Sequence, residues 1–210
     1  MLLPHRHRAA LLDPLDLAPL PGGDEWDGRL AYLDRDGVIN DNDEGYVNSE
    51  ADLVLFNGIA DMVASLRIAG YRIVLVTNQS PIGRGWWGHD RLEGIHDRRI
   101  SELQTGNEQA GIDLILYSPY APSDQAWSRK PHPGMLQVGR QLLDRSAAGQ
   151  QMVESNLLYG PEYSGKPDAE ADSVMVGDRD SDEGAAAAHG VRFLRTPGDR
   201  GLAAVIDHMF

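Results

Sequence analysis

The sequence predicts an α/β fold in which helices cover both faces of a Rossmann-like, doubly wound parallel sheet. Short apolar runs alternate along the chain with segments whose apolar residues recur at helical spacing. The runs are continuously apolar, as in strands that are buried on both faces. Alternation of strands and helices requires crossover connections, which place successive strands parallel to each other.

Five apolar runs are predicted to be buried strands, over residues 30–33, 73–76, 114–117, 174–176 and 191–194. After the first run, a core-facing helix is predicted from apolar residues at i, i+3, i+4 and i+7, which are Ile59, Met62, Val63 and Leu66. Gly70 is its predicted end. Further helices are predicted over residues 92–103, 135–143 and about 183–189, the last ending at Gly190.

The length of 210 residues fits one domain with a single sizeable core. Residues 1–28 are rich in proline and paired glycine and are predicted to form an irregular N-terminal arm. Residues 29–210 are predicted to form the domain itself. A long, turn-rich segment at about 150–171 interrupts the strand and helix pattern and is predicted to be an insertion or surface flap.

Composition excludes some classes of protein. The chain has no cysteine, which excludes disulfides and cysteine-bound zinc. Its formal net charge of −13 argues against nucleic acid or an anionic membrane as a partner. No segment approaches the roughly 20 apolar residues that span a bilayer, and no signal-peptide core is evident. We therefore expect a cytoplasmic protein, either a monomer or a small homo-oligomer, with a small-molecule substrate.

Polar clusters directly follow four of the predicted strands, at residues 34–40, 77–80, 118–120 and 177–182. The carboxyl ends of the strands of an open parallel sheet share one edge, and ligands bind at that edge. We therefore expect these four clusters, which are distant in sequence, to converge in space.

The converging residues suit the transfer of a phosphoryl group. Asp34, Asp36 and Asp178 would repel each other unless a hard divalent cation such as Mg²⁺ lay among them. Lys130 adds a positive charge and Thr77 a hydroxyl donor, which a phosphoryl group requires. One aspartate can then act as nucleophile, and the second, two residues along, as general acid and base.

Simpler interpretations exist for each element alone. An Asp-x-Asp after a strand is usually a solvated loop or a helix cap. The spacing of Asp178, Asp180 and Asp182 resembles a calcium loop, although Gly184 falls one place late and His189 stands where a bidentate acid belongs. The four elements in order on consecutive strands favour the catalytic interpretation.

These residues resemble the haloacid dehalogenase superfamily of phosphohydrolases, whose four signatures match residues 34–38, Thr77, Lys130 and residues 177–182. Longer strings resemble one branch, which contains the D-glycero-D-manno-heptose-1,7-bisphosphate 7-phosphatases and the related histidinol-phosphate phosphatases. They are LDRDGVIN at 33–40, Gly45-Tyr46-Val47, VTNQSPIGRG at 76–85 and RKPHPGM at 129–135. The resemblance covers about residues 29–196.

The resemblance implies a role for each matching residue. Asp34 is implied to be the nucleophile and a Mg²⁺ ligand, and Asp36 the general acid and base that also binds Mg²⁺ through its carbonyl. Asp178 would complete the metal site. Thr77 and Lys130 would hold the phosphate, Lys130 also orienting Asp34. The residues implied to bind substrate are Asn78, Gln79, Ser80, Arg129, Arg179 and, on a flap, Tyr46.

Two features depart from the branch. Its members commonly carry a zinc loop, but the matching positions hold Ser118, Tyr120, Ala126 and Ser128, so no zinc is expected. Arg179 replaces a lysine and keeps its charge. Only about twenty residues separate Asp36 from Gly58, so we expect a capless domain or one with a small flap.

The leading hypothesis is a Mg²⁺-dependent phosphatase of a sugar bisphosphate, with D-glycero-D-manno-heptose 1,7-bisphosphate first. The alternatives are a histidinol-phosphate phosphatase, a nucleic-acid 3′-phosphatase and a non-catalytic binding protein on the same fold.

Overall fold

One sheet of six strands runs through the protein in the computed structural model, which describes residues 2–23, 25–41, 47–161 and 163–210. The strands are β1 (His5–Arg6), β2 (Leu30–Leu33), β3 (Arg72–Asn78), β4 (Leu114–Ser118), β5 (Val174–Gly177) and β6 (Arg192–Arg195). Their order across the sheet is β1-β4-β3-β2-β5-β6. All neighbours pair in parallel except β1, which is antiparallel to β4. The predicted parallel α/β sheet is confirmed.

Helices cover both faces of this sheet. They are α1 (Ile59–Ile68), α2 (Ser80–Gly83), α3 (His89–Gly106), α4 (Gly134–Ala147) and α5 (Asp180–His189). Residues of α1 and α3 share one apolar cluster with the sheet, and residues of α4 and α5 share another. The four helices predicted from the sequence are confirmed, although α5 begins three residues earlier than expected because Asp180 and Asp182 form its first turn.

Side chains of the central strands alternate between these two clusters. Leu33 and Leu75 point into the cluster on the α1 side, whereas Tyr32 and Val74 point into the cluster on the α4 side. All four are fully buried. Burial on both faces explains why these strands read as unbroken apolar runs in the sequence.

The two edges of the sheet differ from the prediction. The run at 191–194 was expected to be a buried strand, but Arg192 and Arg195 of β6 are exposed. That expectation is wrong because β6 is the last strand of the sheet and has one free side. The opposite edge is covered by β1, which the sequence pattern did not reveal, with His5 paired to Tyr117 of β4.

The N-terminal arm and the segment at 150–171 both contact the domain. The hydroxyls of Tyr120 and Tyr159 donate to the carbonyl oxygens of Leu3 and Leu2, each at 3.0 Å. The amide of Gln137 on α4 donates to Gly160 O at 3.0 Å. The boundaries at residues 28, 150 and 171 stay predictions.

Across the described residues, none of the helices is both long enough and apolar enough to cross a membrane.

A buried charge network ties the end of the 150–171 segment to the core. Glu170 accepts hydrogen bonds from Tyr32 Oη at 2.8 Å and from Arg140 Nη1 at 3.0 Å, and it pairs with His189 Nε2 at 2.6 Å. Burial by itself would raise the pKa of Glu170. The hydrogen bond and charge of His189, together with Arg140 and Tyr32, instead hold this pKa below its usual value.

We expect Glu170→Gln to lower the free energy of unfolding at pH 7 by about 2 kcal/mol, because the buried guanidinium of Arg140 loses one of its two carboxylate partners and keeps the other, Asp144. Since the pKa of Glu170 is lowered on folding, its contribution is present above the unfolded-state pKa and is lost as the pH falls through the folded-state value. Urea denaturation should therefore show the difference from wild type shrinking below about pH 4.5.

The matched control is Glu102→Gln, which removes an exposed ion pair with Arg98 four residues earlier on α3. Its effect should stay below about 0.5 kcal/mol. A difference between Glu170→Gln and wild type that is independent of pH would contradict the charge network as its cause.

Candidate active site

The candidate site lies where the sheet reverses its direction of growth. From β2 the chain builds outward through β3 to β4, and it then returns to place β5 on the other side of β2. Asp34 and Asp178 directly follow β2 and β5, at the carboxyl ends of these two neighbouring strands. A switch point of this kind leaves a crevice, which is where open α/β sheets bind their ligands.

Three carboxylates converge in this crevice. Oxygen atoms of Asp34, Asp178 and Asp182 lie within 4.8 Å of one another. Gly37 makes room for them, because a Cβ at this position would lie 2.6 Å from Asp178 Oδ2, and its φ of +77° also favours glycine. Clustered hard oxygen ligands on a loop with room for close approach fit Mg²⁺.

Lys130 provides the positive charge inside this cluster. Its ammonium Nζ lies 2.6 Å from Asp34 Oδ1 and 2.6 Å from Asp182 Oδ1, and it donates to Val76 O at 2.9 Å. The side chain is only 3% exposed, so these three oxygen atoms replace its water shell. Burial lowers the pKa of Lys130, but the charges of Asp182 and Asp34 outweigh this effect and raise it overall.

Asp34 itself is crowded by negative charge. Burial raises its pKa most, Lys130 lowers it, and the charges of Asp182 and Asp36 raise it again, so that the pKa reaches about 7. A positive charge brought into the crevice would favour the ionised carboxylate. The site is therefore arranged to attract a cation.

Asn78 and Gln79 hold other site residues in position through hydrogen bonds. Lys130 N donates to Asn78 Oδ1 at 3.0 Å, and Asn78 Nδ2 donates to Lys130 O at 3.0 Å, which fixes the loop bearing Lys130. Gln79 Nε2 donates to Thr77 Oγ1 at 2.8 Å. Both amide side chains are thus engaged within the protein. Their predicted contact with substrate stays a prediction, whereas the geometry gives them a positioning role.

The carboxylate of Asp36 points to a different set of partners. Arg35 donates to both of its oxygen atoms, at 2.9 and 2.7 Å, and Asn40 Nδ2 donates to Oδ1 at 3.0 Å. Burial would raise the pKa of Asp36, but the charge and hydrogen bonds of Arg35, followed by Asn40, lower it overall. These hydrogen bonds fix the orientation of the carboxyl group, and the lowered pKa makes its protonated form a strong acid.

The other predicted substrate-binding residues lie at several depths. Ser80 is the first residue of α2 and is buried. Arg129 Nη1 donates to Tyr120 O at 3.1 Å. Arg179 is more than half exposed, with its Nε 3.7 Å from Asp178 Oδ1. Tyr46 lies outside the described residues.

Asp182 was missed as a site residue by the sequence analysis. One of its oxygen atoms accepts from Arg179 N at 3.0 Å and so caps α5, and the other pairs with Lys130. The sequence did contain a signal for Asp182, because it lies three residues after Arg179. If α5 begins at Asp180, this is the spacing at which an acidic side chain accepts from the main-chain N–H of the N-cap residue.

Comparison with known proteins places this architecture in a class. The family described as polynucleotide kinase 3 phosphatase matches residues 29–199. A heptose 1,7-bisphosphate phosphatase from B. bronchiseptica, solved with magnesium and phosphate, superposes with a TM-score of 0.63 at 29% identity over 84% of this chain and 86% of that one. A putative HAD-like phosphatase from Mesorhizobium loti superposes with a TM-score of 0.59 at 27% identity, over 93% and 98% of the two chains.

Two relatives show how the sequence similarity is distributed. A D-glycero-beta-D-manno-heptose-1,7-bisphosphate 7-phosphatase from Pseudomonas putida is 38% identical over 111 residues, which cover 52% of this chain and 62% of the relative. A D-glycero-alpha-D-manno-heptose-1,7-bisphosphate 7-phosphatase from Burkholderia mallei is 31% identical over 182 residues, which cover 81% of this chain and 90% of the relative. The chain thus spans about three fifths of the Pseudomonas putida relative.

The fold and the arrangement of acidic residues define a haloacid-dehalogenase-type α/β domain. Within that class, the chain belongs to the polynucleotide kinase 3 phosphatase family.

Proposed function

We propose that this protein is a Mg²⁺-dependent phosphomonoester hydrolase that works through an aspartyl-phosphate on Asp34. The observation that carries the proposal is the meeting of Asp34, Asp178 and Asp182 with Lys130 Nζ at the switch point of the sheet. A buried lysine next to a carboxylate cluster supplies the two requirements of phosphoryl transfer, which are charge neutralisation and fixed orientation.

Asp34 begins the proposed reaction. An oxygen of its carboxylate attacks phosphorus, and the bond from phosphorus to the ester oxygen breaks. Asp36 enters this step in its protonated form, gives that proton to the departing alkoxide and is left as a carboxylate. In the second half, Asp36 removes a proton from water, whose oxygen attacks phosphorus, and inorganic phosphate leaves with regeneration of Asp34.

Mg²⁺ fits the donor set of the site. The carboxylates of Asp34 and Asp178 would hold it together with the main-chain carbonyl of Asp36. When bound, it neutralises charge on the phosphate oxygen atoms. Lys130 keeps Asp34 oriented while it pairs with Asp182, so that Asp182 serves mainly as the second partner of the lysine.

D-glycero-D-manno-heptose 1,7-bisphosphate is the substrate that we propose first. The names of the relatives support it, and these names differ in the anomer, beta in the Pseudomonas putida protein and alpha in the Burkholderia mallei protein. A cytoplasmic location and a monomeric or small homo-oligomeric state belong to the same proposal.

A 3′-phosphorylated nucleic acid is a second candidate, because the family description refers to this activity. The formal net charge of −13 opposes it, since a polyphosphate chain would meet a negative protein. Its signature would be a loss of affinity with rising salt concentration.

The test is phosphate release by the purified protein from a panel of esters. It comprises both anomers of heptose 1,7-bisphosphate, histidinol phosphate and a 3′-phosphorylated oligonucleotide. We expect release that stops with EDTA and returns with Mg²⁺, and a kcat/KM at least about tenfold higher for one heptose anomer than for histidinol phosphate, since pocket contacts of this kind discriminate by that order. The highest kcat/KM on the oligonucleotide, falling steeply with salt, would contradict the substrate proposal but leave the chemistry intact.

A further inference from the structure

A buried arginine from outside the crevice reaches the loop that carries Asp36. Arg99 lies on α3, and its side chain is fully buried. Its Nη2 donates to Asn40 Oδ1 at 3.0 Å, and Asn40 Nδ2 in turn donates to Asp36 Oδ1 at 3.0 Å. A chain of hydrogen bonds therefore runs from α3 through the Asn40 amide to the carboxylate of Asp36.

The Asn40 amide can act in this chain only in one orientation. Its Nδ2 also donates to Asp41 O at 2.9 Å, so both amide hydrogens are used on the side of Asp36 and Asp41. Its Oδ1 must then face the guanidinium of Arg99, which is a donor only. Arg99 thereby fixes which atom of Asn40 meets Asp36.

Arg99 contributes little to stability through its own hydrogen bonds. Among the described residues, its buried Nε and Nη1 have no hydrogen-bond partner, and the same holds for Arg35 Nη1. Burial first, and then the charge of Arg35, lower the pKa of Arg99 to about 9. Unpaired buried donors of a charged group carry a desolvation cost, which offsets part of what the hydrogen bond to Asn40 contributes.

We propose that Arg99 is a positioning residue for the general acid and base, acting through Asn40 to hold the Asp36 carboxyl in line with the ester oxygen. The inference rests on the proposed function. Without this support, the orientation of Asp36 would depend on Arg35, which is its neighbour in the chain and does not tie it to a separate element of the fold. Arg99 anchors the carboxylate to α3, an 18-residue helix that is packed against the domain.

The dependence of rate on the leaving group distinguishes this role from a structural one. Benzyl phosphate releases a strongly basic alkoxide that needs a proton from Asp36, whereas p-nitrophenyl phosphate releases a stable phenolate that does not. Single-turnover release of the alcohol, with enzyme in excess and saturating Mg²⁺, reports only the first half-reaction. A misplaced acid should therefore slow the benzyl ester selectively.

The experiment compares Arg99→Met and Asn40→Ala with wild type on both esters. General acid catalysis contributes about 100-fold or more, so we expect each variant to slow the benzyl ester by about 30-fold and the nitrophenyl ester by less than about threefold. Arg99→Lys should restore part of the loss by returning one donor. Asn40→Ala removes the hydrogen bond from Asn40 to Asp36 and so interrupts the same connection without changing Arg99. The test therefore stays decisive if Arg99→Met folds poorly.

The matched control is Arg67→Met, which removes another buried arginine at the amino-terminal edge of the sheet. Its partner Asp113 keeps a second ion pair with Arg72, so this variant should fold. Its ratio of the two ester rates should equal that of wild type. Equal slowing of both esters by Arg99→Met and Asn40→Ala, or no slowing, would overturn the inference. Absence of release from both esters by the wild-type protein would instead overturn the proposed function.

Discussion

Asp34→Asn should abolish Mg²⁺-dependent release of phosphate from p-nitrophenyl phosphate, with a loss of at least about 10,000-fold in kcat. The amide that replaces the carboxylate is not a nucleophile, and water cannot take its place because the aspartyl-phosphate forms on this side chain. The substitution also removes one of the carboxylates that would hold Mg²⁺. Colorimetric phosphate release at saturating Mg²⁺ measures this effect.

The same variant should remain folded. Burial raises the pKa of Asp34 to about 7, so in the absence of metal the folded state holds a proton that the unfolded state releases from about pH 4 upward. The ionised carboxylate thus destabilises the metal-free protein at neutral pH, and the neutral amide removes this penalty. Thermal unfolding in EDTA at pH 7.5 should give a Tm equal to or above that of wild type.

Asp61→Asn provides the matched control, because Asp61 is an exposed residue of α1 that is remote in sequence from every predicted site residue. It should leave both kcat and Tm unchanged. Activity of Asp34→Asn within about tenfold of wild type would end the proposed mechanism, since no second nucleophile is assigned.

Much of the fold and the site could be predicted from the sequence for one physical reason. Strands such as Leu30–Leu33 are buried on both faces, so each leaves an unbroken apolar run that ends where the polar residues begin. Parallel pairing then places Asp34, Thr77 and Asp178 at one edge without any knowledge of side-chain contacts. Local pattern and sheet geometry were sufficient for these positions.

The supporting residues could not be predicted because their roles depend on distant contacts. Arg99 is 59 residues from Asn40 in the chain, and nothing in its local sequence marks it as buried. Asp182 was obscured by the late predicted start of α5, which hid its capping position. Asn78 and Gln79 were predicted to face substrate from the family resemblance, but their side chains bond to Lys130 and Thr77.

Lys130 unites catalysis and stability at this site, which makes its replacement informative. Lys130→Met keeps an unbranched side chain but removes the charge that lies 2.6 Å from both Asp34 and Asp182. We expect kcat on p-nitrophenyl phosphate to fall about 1,000-fold, because removal of one preorganised electrostatic donor costs up to that amount. We also expect the free energy of unfolding in EDTA at pH 7.5 to fall by about 3 to 5 kcal/mol, since two buried carboxylates lose their partner.

The pH dependence of this loss follows from the same charges. Lys130 lowers the pKa of Asp34, so its removal lets burial raise that pKa further above the unfolded-state value. The folded variant then binds more protons than the unfolded chain, and its stability increases as the pH falls. In urea denaturation, the difference in free energy of unfolding between Lys130→Met and wild type should become smaller from pH 8 to pH 5. Addition of Mg²⁺ at pH 7.5 should make this difference smaller as well.

Lys166→Met is the matched control, because Lys166 is the other lysine of the chain and its Nζ donates to a main-chain oxygen, that of His189, rather than to a site carboxylate. Its activity should equal that of wild type, and its stability should show no dependence on Mg²⁺ beyond that of wild type. A Lys130→Met protein that is inactive yet as stable as wild type at pH 8 would show that Asp34 and Asp182 do not need the lysine to remain buried. The charge of Lys130 would then act on the bound phosphate rather than on the two carboxylates.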